Sequence, residues 1–239
     1  MILGARNGAW AKSGGGVPTA SDYVQDGLIA MWDGIENAGW GIHNPNAMVW
    51  KDLAGGYDMN VVNGFFDENT FVGTKGGICS QAQSSVVETI KTIEMCFRLT
   101  EFYKYYIQYL FGPYGSKGFG IAKRYEWCIT RQDDVIGSAF LDEMTVLGTR
   151  AFSGGSGGNP YLNGVLKNNV PSRSQGTLPS DVCFVGSLKY DIFIKSIRCY
   201  SRSLSAEEIA ANYAIDKARF NLPSNHLTLA KTHIVFKTR

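Results

Sequence analysis

The stretch "SIRCYSRSLSAEEIAANYAIDKARFNLP", residues 196–223, reads as a strand running straight into a capped helix. Ser205 is placed to accept from the backbone N–H of Glu208 while the Glu208 side chain reaches back, the reciprocal pairing of a capping box. Ile209, Asn212, Tyr213 and Asp216 follow at helical spacing, so Ile209 and Tyr213 are expected to pack down while Glu207, Asn212 and Lys217 face water. Pro223 ends any continuation, because its ring removes the N–H and clashes with the preceding turn. No other segment of the chain reads convincingly as a helix.

The rest of the 239 residues reads as strands. Hydrophobic residues make up 44 % and aromatics 13 %, with 28 Gly against 7 Pro, a balance that suits short strands joined by turns. Candidates are "LIAMW", "AMVWKDL", "MNVVNGFF", "TIEMCFRL", "YYIQYLFG", "GFGIAKR", "YEWCITRQ", "MTVLGTRAF", "PYLNGVLK", "VCFVGSL" and "FIKSIRCYS". In "TIEMCFRL", alternation sets Ile93, Met95 and Phe97 on one face and Glu94, Cys96 and Arg98 on the other, predicting one buried and one mixed face. The Asn163-Gly164 pair inside "YLNGVL" predicts a tight hairpin, since a type I′ turn needs positive φ at both central positions. The expected fold is all-β, a two-sheet antiparallel jelly-roll sandwich with one short C-terminal helix.

Residues 1–21 form a glycine-rich arm, residues 22–222 the sandwich, and residues 223–239 a basic tail whose "HLTLAKTHIVFKTR" alternates weakly enough to add a strand. Lys plus Arg number 23 and Asp plus Glu 21, so the chain as a whole has no strong attraction for nucleic acid. The basic excess is concentrated in the tail. No run of about 18 apolar residues and no signal-like h-region occurs, which argues against membrane insertion and for synthesis in the cytoplasm without a signal peptide. The five cysteines are scattered through apolar strands and read as small buried hydrophobes of a reducing compartment.

The opening stretch resembles the last strand and short helix of the laminin-G-like, concanavalin-A-like jelly-roll domains of bacterial and bacteriophage proteins, through Ile197, Arg198, Tyr200, Ser201, Arg202, Leu204, Ser205, Glu207, Glu208 and Ile209. "GLIAMWDG" is similar to that family's first core strand, "WKDLAGGYDMNVVNG" to its Asp- and Gly-rich loop, and "PYLNGVL" to its hairpin. The resemblance covers about residues 23–215. Lys195 and Ser196 stand where the family carries an acidic pair, and "NAGWGIHNPNAMVW" lengthens the first loop. What the resemblance implies is therefore the fold.

Glycosidases of this wider fold carry two acids on one strand face, two residues apart, as nucleophile and general acid. None of the 21 acids here has another two positions away, so the chain is expected to be non-enzymatic, a glycoside hydrolase being the third reading. "GGSGG" at 154–158 fits the spacing of a nucleophile elbow but leads into a hairpin instead of a helix. Asp52, Asp58 and the carbonyls of "LAGGYD" offer the oxygen ligands Ca²⁺ accepts, the one cofactor considered; alternatively the two carboxylates hold the turn through Asx-type hydrogen bonds. Aromatic residues are the stronger clue, because the C–H face of a sugar stacks on Trp or Tyr. Trp40, His43, Trp50 and Tyr57 border the inserted loop and are the candidate glycan contacts; the Tyr103–Tyr114 segment adds further aromatics.

The leading expectation is a structural or adhesive module of a larger assembly, a phage or prophage virion component or surface-attachment protein that also binds glycans. Its protein partners would be gripped by the arm and tail, through Trp10, His226, Lys231, His233 and Lys237. The alternative is a monomeric carbohydrate-binding module.

Overall fold

The computed structural model describes residues 16–81, 90–99, 108–113, 117–122, 126–131, 134–140, 150–155, 160–166, 183–186 and 191–222. Among these, fourteen strands and one α-helix form: β1 Leu28–Asp33, β2 Val49–Trp50, β3 Met59–Asp67, β4 Thr70–Gln81, β5 Thr92–Leu99, β6 Gln108–Pro113, β7 Lys117–Ala122, β8 Glu126–Arg131, β9 Asp134–Phe140, β10 Arg150–Gly155, β11 Pro160–Leu162, β12 Val165–Leu166, β13 Cys183–Gly186, β14 Ile192–Tyr200 and α1 Ala206–Arg219. Every strand pairing is antiparallel. The all-β antiparallel sandwich with one late helix is the fold found.

The ladder runs in the order β12-β11-β10-β5-β14-β4-β13-β6-β7-β8-β9, with β1 beside β14 and β3 beside β4. β4 makes it continuous: Phe71–Gly73 pairs with β14, and Ile78–Gln81 pairs with β13. Between those two stretches the register against β3 jumps from Gly64↔Gly73 to Val62↔Ile78, an enlarged bulge at which β4 changes partner. Asn63 takes it up on the β3 side with φ 55°. Neither β4 nor β9 was among the strands expected from the sequence. The glycines of "VGTKGGICSQ" interrupt the apolar pattern that would have marked β4.

Trp32, Trp50, Met59, Phe66, Phe71, Met95, Phe97, Ile192, Ile194 and Ile197 are among the side chains that fill the main core. On β14 the bulge at Lys195 resets the alternation, so Ile192 and Ile194 before it and Ile197 and Cys199 after it all point to this core. The predicted hairpin is present. Asn163 and Gly164 have φ 52° and 74°, as a type I′ turn requires. A Cβ on Gly164 would stand 2.9 Å from the Tyr213 ring, so the hairpin also packs closely on α1.

The helix begins as read from the sequence: Glu208 N–H donates to Ser205 Oγ at 3.2 Å and Ser205 N–H to Glu208 Oε2 at 2.8 Å. Its far side corrects the reading. Asn212, expected in water, is fully buried, and Glu94 and Cys96, expected on a mixed face of β5, are 1 % and 0 % exposed. Both faces of β5 are covered, because α1 folds back across the outer face of β5 and β14 and the chain beyond it packs Phe220 and Leu222 on Cys96. The N-terminal segment joins the same cover. Ala20 and Tyr23 are buried, and Arg219 donates to the Pro18 carbonyl at 3.1 Å, so the packed body includes residues assigned above to the arm.

Candidate functional site

Two buried arginines hold this second layer together. Arg198 on β14 donates to Glu94 at 2.9 Å and bidentately to Asp216 at 2.8 and 2.7 Å, while Tyr23 Oη donates to Asp216 at 2.7 Å. Asn212 Nδ2 donates to Glu94 at 2.7 Å and to Tyr200 Oη at 3.0 Å. Burial works against the Arg198 charge, yet Asp216 and Glu94 hold its pKa well above the usual arginine value. Arg219, near the end of α1, reaches Asp33 at 2.9 Å and Glu36 at 3.2 Å. Burial pushes the Asp33 carboxyl up even though Arg219 and the N–H groups of Glu36 and Ile35 oppose the shift.

Beyond Asp33 the chain leaves β1 and enters the lengthened loop, whose base is fastened at several points. Asn37 is fully buried and forms a closed pair with Asn44, Nδ2 donating to Asn44 O at 2.7 Å and Oδ1 accepting from Asn44 N–H at 2.8 Å. Lys51 N–H donates to Asn37 O, and Phe66 N–H on β3 donates to Pro45 O. Within this frame Ile42 N–H closes a turn on Gly39 O at 2.9 Å, and Ala38 N–H bonds Ile42 O at 3.1 Å. Gly41, third in the turn, has φ 70°, a conformation a type II turn reserves for glycine. Trp40 is thereby held at the tip.

The tip is apolar and open. Trp40 is 49 % exposed, Ile42 55 % and Met48 71 %, and residues 38–50 contain no Asp, Glu, Lys or Arg. His43, also exposed, lies 3.1 Å from the Ile35 carbonyl through Nδ1. A carbonyl can only accept, so Nδ1 carries a proton here and Nε2 is the ring nitrogen that can meet a ligand. A flat indole, an apolar neighbour and a polar ring nitrogen on one rigid loop are the parts a sugar-binding surface uses, with the C–H face stacked and a hydroxyl bonded. Ile42 and Met48 were not singled out from the sequence; the charge-free run from Ala38 to Trp50 was the signal for them.

The structure does not bring all four candidate glycan contacts together. Trp40 and His43 share the exposed loop. Trp50 corrects the reading: it is fully buried, stacked on Phe71 at 5.4 Å, with Nε1 donating to Asp33 O at 2.9 Å. Its ring has no face left for a ligand. Tyr57 is half-buried against the core, and its carbonyl accepts from Trp32 Nε1 at 3.0 Å.

Asp52 clamps its own loop. Its two oxygens accept from Met31, Ala54, Gly55 and Tyr57 N–H groups at 2.8 to 3.0 Å. Asp58 accepts from Asp52 N–H and pairs with Lys51. These bonds are the Asx-type clamp weighed above as the alternative to a ligand role for the pair, and no group of three metal-binding side chains occurs among the described residues. Trp10, His226, Lys231, His233 and Lys237, the tyrosines at 103, 105, 106 and 114, and positions 156–158 of the glycine-serine loop lie outside the described residues.

No protein-family model matches the chain, and no curated protein matches it in sequence. Solved structures do share its fold. A Trypanosoma rangeli sialidase in complex with sialic acid superposes with TM-score 0.55 at 17 % identity over 85 % of this chain and 34 % of its own. The receptor-binding domain of a botulinum neurotoxin C/D mosaic serotype gives 0.55 at 16 % over 80 % and 52 %. A botulinum neurotoxin type C structure, described as entering cells through two ganglioside molecules, gives 0.56 at 13 % over 80 % and 51 %. The chain thus spans about a third of the sialidases and half of the toxin chains. These neighbours overturn the expectation of a non-enzymatic chain, since the architectures that contain this fold include glycosidases; at such identities what is shared is the β-sandwich.

Proposed function

We propose that the chain is a glycan-binding β-sandwich module of the laminin-G-like type, working as part of a larger protein or assembly. The observation that carries the reading is the half-exposed Trp40 on a loop fixed from both sides, within a run, 38–50, that has no charged residue of its own. An ordered indole stacks on a sugar without first losing the freedom of a mobile loop, so less of the contact energy goes to ordering. His43 supplies a directional polar contact beside it. The neighbours support this reading, as one holds sialic acid and another is tied to gangliosides.

The assembly we assign to it is a phage or prophage virion or a surface-attachment structure, in which the segments at 1–15 and 223–239 contact neighbouring subunits. Binding is tested on a glycan array carrying sialylated and neutral oligosaccharides, with the chain and its Trp40→Ala variant side by side. Specific signals lost on substitution support the proposal; silence on every glycan, or signals indifferent to Trp40→Ala, refute it. Removing residues 224–239 tests the assembly role, which an unchanged oligomer by light scattering would refute.

A further inference from the structure

We infer that Glu36 is the positioning residue of the Trp40 loop and that through it the N-terminal segment sets whether the loop is ready to bind. This rests on the glycan reading of that loop, while the geometry concerns the loop alone. Glu36 is 6 % exposed, and its two oxygens face different elements. Oε2 accepts from the Gly41 N–H at 2.9 Å, within the turn that holds Trp40. Oε1 accepts from the Ala20 N–H at 3.0 Å and from Arg219 at 3.2 and 3.3 Å. One carboxylate therefore joins the tip of the loop, the N-terminal segment and the end of α1.

The cluster extends further, although Asp33 Oδ2 and Arg219 Nε are buried without a hydrogen-bond partner among the described residues. Arg219 also holds the Pro18 carbonyl and Asp33 Oδ1, and Asp33 Oδ1 accepts from the N–H groups of Ile35 and Glu36. If the segment at Pro18–Ala20 is drawn away, Glu36 loses a donor and Arg219 a carbonyl, and the carboxylate turns toward its remaining cation. The Gly41 N–H then loses its acceptor, and the turn loses its only side-chain anchor among the described residues. A subunit that grips the N-terminal segment would in this way weaken glycan binding, and a bound glycan would by linkage hold the segment in place.

The test uses the full chain and two substitutions. Glu36→Gln keeps the shape but presents an NH₂ to one of its two donor sets. Ala20→Pro replaces the N–H that faces Glu36 Oε1 with a ring carbon that cannot donate and that crowds this oxygen, at the first position of a short 3-10 turn preceded by an extended Thr19, where the proline backbone fits. Hydrogen exchange of residues 38–44 should quicken about tenfold or more in both, the loss expected for a hydrogen bond to a charged acceptor, with β5 and β14 unchanged. Affinity for any glycan found on the array should fall with it. Unchanged exchange of the loop in Ala20→Pro overturns the coupling, and unchanged exchange in Glu36→Gln overturns the positioning role. Should Glu36→Gln fail to fold, Ala20→Pro decides alone. Quickened exchange in a chain that binds no glycan would refute the glycan reading and leave the positioning of the loop standing.

Discussion

Replacing Arg198 with methionine tests the second layer where it is most exposed to failure. The side chain is 1 % exposed, donates to Glu94, Ser196 and Asp216, and lies 4.0 Å from the centre of the Tyr23 ring. Methionine replaces most of the stem volume but takes the guanidinium from two buried carboxylates, on which Asn212 still donates to Glu94 and Tyr23 and Ser196 to Asp216. Removing one partner of a buried ionic cluster costs about 3–5 kcal/mol. At this chain length each kcal/mol is about 2–4 °C, so the melting temperature at pH 7 should fall by about 6–20 °C. Thermal melts followed by circular dichroism at pH 7 measure this. Arg98→Met, which removes a half-buried guanidinium lying on the Phe193 ring near the end of β5, is the control and should cost about 1 kcal/mol or less. A drop of under about 3 °C for Arg198→Met would refute the reasoning.

Three further outcomes follow from the packing. Trp50→Ala should destabilise by about 3–5 kcal/mol in urea titrations, as the loss of a fully buried indole does, whereas Trp40→Ala should change stability by about 0.5 kcal/mol or less. Gly164→Ala puts a Cβ both at positive φ and against Tyr213, so about 1–3 kcal/mol should be lost, read in the same titrations. Burial raises the pKa of Asp33 in the fold, so its ionised form is penalised above that value and the penalty lifts as pH falls through it. The stability difference between the parent chain and Asp33→Asn should therefore move in favour of the parent as pH drops from 7 to 4 in thermal melts.

What could be read from the sequence was whatever is encoded locally. Ser205 and Glu208 specify the helix start within four residues, and Asn163-Gly164 specifies a turn by backbone conformation alone, so both are found as expected. Alternation in "TIEMCFRL" correctly groups Ile93, Met95 and Phe97, but it states only which side chains share a face, not what covers it. The partner that buries Glu94 is Asn212, 118 residues further on, and no local pattern announces so distant a contact. Arg198 and Glu94 look like solvated strand residues until α1 is laid over them. At the candidate site the loop and its exposed Trp40 were legible as an aromatic insertion, while Trp50 belonged to the core because β2 turns its ring onto Phe71. Glu36 was invisible as a positioning group, since its role depends on Ala20 and Arg219 meeting at one carboxylate.

The most direct test of the central claim follows the indole N–H signals of the five tryptophans by nuclear magnetic resonance while an array-selected oligosaccharide is titrated in. The account predicts that the Trp40 signal shifts with saturation while those of the buried Trp32 and Trp50 stay in place. Saturable binding that leaves the Trp40 signal unmoved would contradict it.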